Sequence, residues 1–304
     1  MSKIKLHISY LSPTSPEVLA LMPDDKYELS FQKSSVSRED DLAAAIADKD
    51  AIVFGVNHYY SENVLRRAKN LKIMSFVGSG YENFVDTKAA TELGIAVANT
   101  PGANSKSVAE LSVGLALDAL RKITLTNKTD NRPIARELTH LKIGLIGYGH
   151  INKHIYKMLR DGFGADVQFW NRTPIEGGVA LDKVLSESDI IFVALATNNE
   201  TKGFIDADKI AKMKDGVILI NPARPDLINE PALMKALQSG KISTYAMDGR
   251  LKDSELLTLG DDKFILTPHI AARTTEGINN MEKFAFLNIK DFFEIGTSKN
   301  IVNL

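Results

Sequence analysis

Cysteine is absent from all 304 residues. That removes disulfides, thiolate metal sites and a cysteine nucleophile together, and it fits a reducing compartment. Charge of one sign is also missing, since 37 Lys and Arg stand against 38 Asp and Glu, a formal net charge of −1. No global field therefore recruits nucleic acid or an anionic membrane, and any anion must be recognised by a few placed residues. Long apolar runs are lacking too, because nothing approaches the ~18 consecutive apolar residues of a membrane span. The N-terminal stretch mixes Lys3, Lys5 and His7 with Ile4, Leu6 and Ile8, which reads as a strand and not as a signal-peptide core. The expectation is a soluble, cytoplasmic protein with neither membrane nor nucleic acid as partner. His150 and His154 lie four residues apart on one helix face with no third ligand in view, so no metal site is expected.

The residues that are present alternate in kind. Ile4–Ser9, Ala51–Val56, Leu71–Val77 and Ile95–Ala98 read as strands, with helices around 40–47, 61–69 and 86–93 between them. Near-continuous apolar strands separated by helices point to parallel sheets covered on both faces. Thr100-Pro101-Gly102 breaks the series, and Ser107-Val108-Ala109-Glu110 then reads as a capping box opening the next helix. A second series follows, with strands at 141–146, 165–170, 189–195, 216–220, 244–247 and 264–266. Helices are expected near 151–160, 206–213 and 230–238, and one long helix over 274–295. The pattern implies an α/β protein of two doubly wound parallel-sheet domains.

The strand Leu141–Ile146 runs directly into Gly147-Tyr148-Gly149-His150-Ile151-Asn152. Glycines at the first two positions permit a tight turn and close backbone approach to a pyrophosphate, which then rests on the helix N-terminus at His150 and Ile151. The third glycine of that pattern is Asn152, which predicts a looser approach of helix to sheet. An NAD site wants a carboxylate at the end of the next strand, and here Asn171-Arg172-Thr173 stands instead. A guanidinium grips a 2′-phosphate bidentately and a hydroxyl adds a donor, so NADP(H) is expected in preference to NAD(H), with Arg172 on the 2′-phosphate.

Several phrases then occur in a fixed order between about residues 50 and 275: Val77-Gly78-Ser79-Gly80-Tyr81-Glu82-Asn83, Asn99-Thr100-Pro101-Gly102-Ala103-Asn104, Ser107-Val108-Ala109-Glu110-Leu111, the glycine loop, Ile220-Asn221-Pro222-Ala223-Arg224, Ala246-Met247-Asp248, and Leu266-Thr267-Pro268-His269-Ile270-Ala271. Together they resemble the D-isomer-specific 2-hydroxyacid dehydrogenases, the glyoxylate and hydroxypyruvate reductases among them. The resemblance implies a flavodoxin-like substrate domain of residues 1–100 and 274–304. It implies a Rossmann domain of residues 101–273, an active site in the cleft, and a homodimer.

The activity implied is hydride transfer between the dinucleotide and a small 2-keto or 2-hydroxy acid. Arg224 would hold the substrate carboxylate and His269 would exchange the proton, both following strands at the carboxyl edge where such sheets bind ligands. The loop Val77, Gly78, Ser79 and Gly80 would cradle the carboxylate. Ala196, Pro222, Ala223 and Asp248 would line the cofactor site, with Asp248 on the nicotinamide carboxamide. His58, Tyr59 and Tyr81 are candidates for selectivity. Two departures stand out. The family's His-orienting Glu is Asp253 here, with Glu255 the alternative, and the Gly after the arginine is Pro225. The stretches 121–141 and 173–185 are shorter than in the family. A phosphoglycerate dehydrogenase-like enzyme is the alternative substrate class, although the N-terminal half offers no clear basic cluster for a phosphate. A non-catalytic dinucleotide sensor is the alternative outside enzymes, and retention of both Arg224 and His269 argues against it.

Overall fold

The computed structural model describes residues 2–10, 13–32, 38–126 and 132–304. Part of the expected short stretch 121–141, together with Met1 and Leu11, therefore lies outside the described residues. The chain divides into two compact units, Met1–Asn104 with Thr275–Leu304, and Ser105–Thr274. The first join falls four residues beyond the expected boundary, because Pro101–Asn104 is still a turn and the next helix begins at Ser105.

The first unit carries β1 (Ile4–Ser9), β2 (Tyr27–Phe31), β3 (Ala51–Phe54), β4 (Ile73–Phe76) and β5 (Ala96–Ala98). They pair in parallel in the order β2-β1-β3-β4-β5. β3 and β4 are buried at every residue, as strands covered on both faces must be. One face packs Ile52, Phe54 and Met74 with Val64 and Leu65 of helix Glu62–Arg67. The other packs Leu6, Val53 and Ile73 against Ala285, Phe286 and Ile289 of helix Thr275–Ile295. Edge strand β2 and the short helix Pro16–Leu19 escape sequence reading. Only Tyr27 of β2 is buried, so its apolar signal is weak.

The second unit carries β6 (Lys142–Ile146), β7 (Asp166–Trp170), β8 (Ile190–Val193), β9 (Val217–Asn221), β10 (Ile242–Asp248) and β11 (Phe264–Thr267). The order is β11-β10-β9-β8-β6-β7, again with parallel pairing. β6 thus has β7 on one side and β8 on the other. The chain reverses direction across the sheet at this point, and in such sheets a crevice opens there at the carboxyl ends of the strands.

Three local expectations are corrected. Helix Ser105–Arg121 starts two residues before the supposed capping box, and the Ser107 hydroxyl instead meets Thr274 Oγ1 at 2.8 Å. The helix after the glycine loop is α-helical over His150–Lys157 and finishes in a π turn, Met158–Gly162. Helix Leu181–Glu187 was not anticipated.

Candidate active site

The glycine loop is built for a ligand that needs backbone contact. Gly147 has φ 86, and a Cβ there would lie 2.6 Å from the Ala194 carbonyl oxygen, so only glycine fits. Gly149, by contrast, faces open space and precedes helix His150–Lys157, whose N-terminus has no side-chain cap. The uncapped N–H groups of that first turn are the donors an anion needs. Asn152 does not simply loosen the helix. It is fully buried, and its Nδ2 donates to the Ile146 and Gly147 carbonyls at 3.1 and 2.7 Å, tying the helix to the strand end. This chain's own residues therefore fit a dinucleotide pyrophosphate.

At the end of β7, Asn171 shapes the loop. Its Oδ1 accepts the Tyr148 N–H at 3.1 Å and its Nδ2 donates to the Thr173 carbonyl at 2.8 Å. Arg172 is exposed and paired with Glu200. Ala196, after β8, accepts the Thr201 hydroxyl at 2.7 Å through its carbonyl.

Three neighbouring strands, β9, β10 and β11, carry the residues with acid–base and anion-binding character. Asn221, the last residue of β9, accepts the Ala223 N–H at 3.0 Å. It also donates to the Arg224 carbonyl at 2.7 Å and to the Tyr245 hydroxyl at 3.0 Å. Pro225 opens a short 3-10 turn, Pro225–Leu227, while Arg224 before it is extended, as a residue preceding proline should be. Pro222 is buried and Arg224 exposed, its Nη1 donating to the Ala223 carbonyl at 2.9 Å.

Asp248, the last residue of β10, is buried and accepts three hydrogen bonds. They come from Thr267 Oγ1 (2.6 Å), Ile270 N–H and Ala271 N–H (both 2.8 Å). These brackets enclose His269, whose φ of 60 is left-handed. Asp248 thereby holds His269 in a backbone conformation the residue would not choose. Oδ1 is saturated by two donors, and Oδ2 keeps a lone pair for a further one.

Desolvation of the ring lowers the His269 pKa below its ordinary value. Arg224, within electrostatic reach, lowers it further, as does Arg250, while the Asp248 carboxylate opposes them. Neither Asp253 nor Glu255 makes a hydrogen bond or ion pair to His269 among the described residues. Asp253 sits at φ 52 on an exposed turn. Asp248, at the end of the adjacent strand, is bonded to the backbone N–H groups of Ile270 and Ala271, the two residues after His269.

In the other unit, the loop after β4 is partly self-satisfied. The Val77 N–H donates to Phe54 O at 2.8 Å, and the Gly78 N–H to Thr100 Oγ1 at 2.9 Å. The Ser79 carbonyl accepts from Asn99 Nδ2 at 2.8 Å. Among the described residues, the N–H groups of Ser79 and Gly80 are the two of the four expected cradle donors with no internal acceptor. Glu200 and Arg250 were missed in the sequence. The Asn198-x-x-Thr201 turn could have flagged the first, and nothing local marks the second.

A family model described as "D-isomer specific 2-hydroxyacid dehydrogenase, NAD binding domain" matches residues 113–271, just over half of the chain. The chain belongs to this family. It is 32% identical over 306 residues to a hydroxypyruvate reductase of Thermotoga maritima, covering 93% of this chain and 98% of that protein. It is 34% identical over 311 residues to a D-3-phosphoglycerate dehydrogenase of Archaeoglobus fulgidus, covering 96% of this chain but only 58% of that protein. An NAD+-bound 3-phosphoglycerate dehydrogenase from Entamoeba histolytica superposes with TM-score 0.87 at 25% identity, covering 100% and 99% of the two chains. As a D-2-hydroxyacid dehydrogenase, the chain is an oxidoreductase that uses a nicotinamide dinucleotide and acts on a small 2-hydroxy or 2-keto acid. Among the described residues no helix is long and apolar enough to cross a membrane, and no cluster of three metal-binding side chains occurs.

Proposed function

We propose that this D-2-hydroxyacid dehydrogenase reduces a small 2-keto acid to the corresponding hydroxy acid with NADPH in preference to NADH. Hydroxypyruvate and glyoxylate are the first candidates. One observation carries the reading: Arg224, Asp248 and His269 stand at the carboxyl ends of three adjacent strands, and Arg224 lies within electrostatic reach of the His269 ring. When bound, the reduced nicotinamide supplies the hydride to the keto carbon. The Arg224 fork holds the substrate carboxylate by two parallel hydrogen bonds and draws charge toward itself as the carbonyl oxygen becomes anionic. His269, in its protonated form, gives its proton to that oxygen and ends neutral. Asp248 keeps the turn of His269 in place, and its remaining lone pair would accept from the nicotinamide amide.

NADPH preference rests on Arg172 and on the absence of a carboxylate at the end of β7. A homodimer is part of the same reading, and the exposed side chains of Ile123 and Ile134 fit it. The phosphoglycerate reading draws on the archaeal relative, of which this chain spans little more than half.

Reduction of a 2-keto acid panel that includes phosphohydroxypyruvate, followed as NADPH and NADH oxidation, tests the proposal. Wild type should turn over a small 2-keto acid. His269→Ala should lose about 100-fold or more in kcat, and Arg224→Gln should raise KM and lower kcat together. Turnover that survives His269→Ala, or no turnover on any acid while NADPH binds, would overturn it.

A further inference from the structure

Arg172 donates from Nη1 to Glu200 Oε2 at 2.5 Å, and the reaction described above makes no use of this ion pair. Arg172 lies two residues beyond β7, and Glu200 lies in the loop after β8. These are the two strands that flank β6. The pair therefore joins the loops on either side of the strand that ends in the glycine turn, where the adenosine end of a dinucleotide is bound in such folds.

The backbones of both partners are fixed. Asn198 Oδ1 accepts the N–H groups of Glu200 and Thr201 at 2.9 and 3.0 Å. Asn171 pins the other loop through Tyr148 and Thr173. Trp170 and Phe204 stack at 5.5 Å and 20°, joining the same two segments. The side chains themselves stay 68% and 74% exposed, within reach of a ligand.

We propose that Glu200 is a specificity-determining residue for the dinucleotide. Its carboxylate competes with a 2′-phosphate for Arg172 and weakens NADPH binding without weakening NADH. The inference rests on the reading of Arg172 as the 2′-phosphate ligand. A bidentate grip on phosphate through the two terminal nitrogens uses Nη1, the nitrogen that Glu200 now engages. A phosphate monoester carries about −1.5 to −2 charges near neutrality, so it is repelled by the same carboxylate. A ribose 2′-hydroxyl is uncharged and can donate to it. Exposed ion pairs are weak, so the phosphate still displaces Glu200, at a loss of affinity and not of binding altogether.

Glu200→Gln removes the charge and keeps the shape. Binding is read without turnover by titrating NADPH and NADH against the fluorescence of Trp170, the chain's single tryptophan. The variant should bind NADPH about three- to tenfold more tightly and NADH within about twofold of wild type. The NADPH gain should shrink as salt is raised. An unchanged NADPH affinity, or equal shifts for both dinucleotides, overturns the role of Glu200. Arg172→Gln separates the two levels. If it leaves NADPH affinity untouched, the 2′-phosphate reading falls as well. If it weakens NADPH while Glu200→Gln changes nothing, only the present inference falls.

Discussion

His269 occupies a left-handed backbone conformation, with φ 60, inside a frame of hydrogen bonds to Asp248. Its imidazole must be protonated to serve as the acid in reduction, yet desolvation, Arg224 and Arg250 all lower its pKa. Reductase kcat/KM, which follows the acid of the free enzyme, should therefore fall as pH rises through a value below the ordinary ~6.5 of histidine. Arg250 makes no hydrogen bond or ion pair among the described residues, so its charge acts unneutralised on the ring. Arg250→Gln removes one cation from beside the imidazolium, which favours the charged form and raises its pKa. The descending limb of the kcat/KM–pH profile should move to higher pH. A limb that stays where it was in wild type would show that Arg250 is not electrically coupled to the ring.

At the level of elements, two glycines in one strand–turn–helix segment serve different ends. Gly144 lies in β6 against helix Leu181–Glu187. A Cβ there would meet Ser188 Oγ at 2.3 Å and Val184 Cγ1 at 2.7 Å. Gly144→Ala overpacks that contact and should cost about 1–3 kcal/mol, seen as a lower Tm. Gly149 has nothing within 4 Å and no positive φ, so Gly149→Ala should leave Tm near wild type. Its methyl group would still stand where a pyrophosphate must approach the helix N-terminus, so dinucleotide affinity should fall. Loss of stability in the second variant, or its absence in the first, would contradict this division.

For the whole molecule, the proposed homodimer is tested at the exposed apolar side chains of Ile123 and Ile134. Ile134 is fully exposed and Ile123 is 55% exposed. Light scattering should give a mass near twice the 33.4 kDa of the chain, and Ile123→Glu with Ile134→Glu should bring it toward the monomer value. A monomeric wild type would refute the assembly. The C-terminal tail acts at the same scale. Asn303 Oδ1 accepts the Val97 N–H at 2.6 Å, and the Val302 N–H donates to Val97 O at 2.8 Å. β5 thus has its open edge covered by residues about 200 positions away, which guards an otherwise exposed row of backbone groups.

Buried parallel strands, the glycine turn and the ordered phrases around Arg224 and His269 were legible in the sequence, because each depends on residues close together in the chain. Apolar runs encode burial, and glycine encodes backbone approach. The surroundings of His269 were legible only in part: counting along the chain points to Asp253, while the pairing of β10 with β11 brings Asp248 beside Thr267, at the turn that carries the histidine. Sequence also placed Arg172 at the end of β7 but gave no hint of Glu200, because the two meet only where their strands lie on either side of β6. Asn152 was read as a missing glycine, yet folding turned its amide into a clasp on the strand end. Local chemistry is written in short stretches of chain. Which charges face each other is decided by strand order, which no single stretch contains.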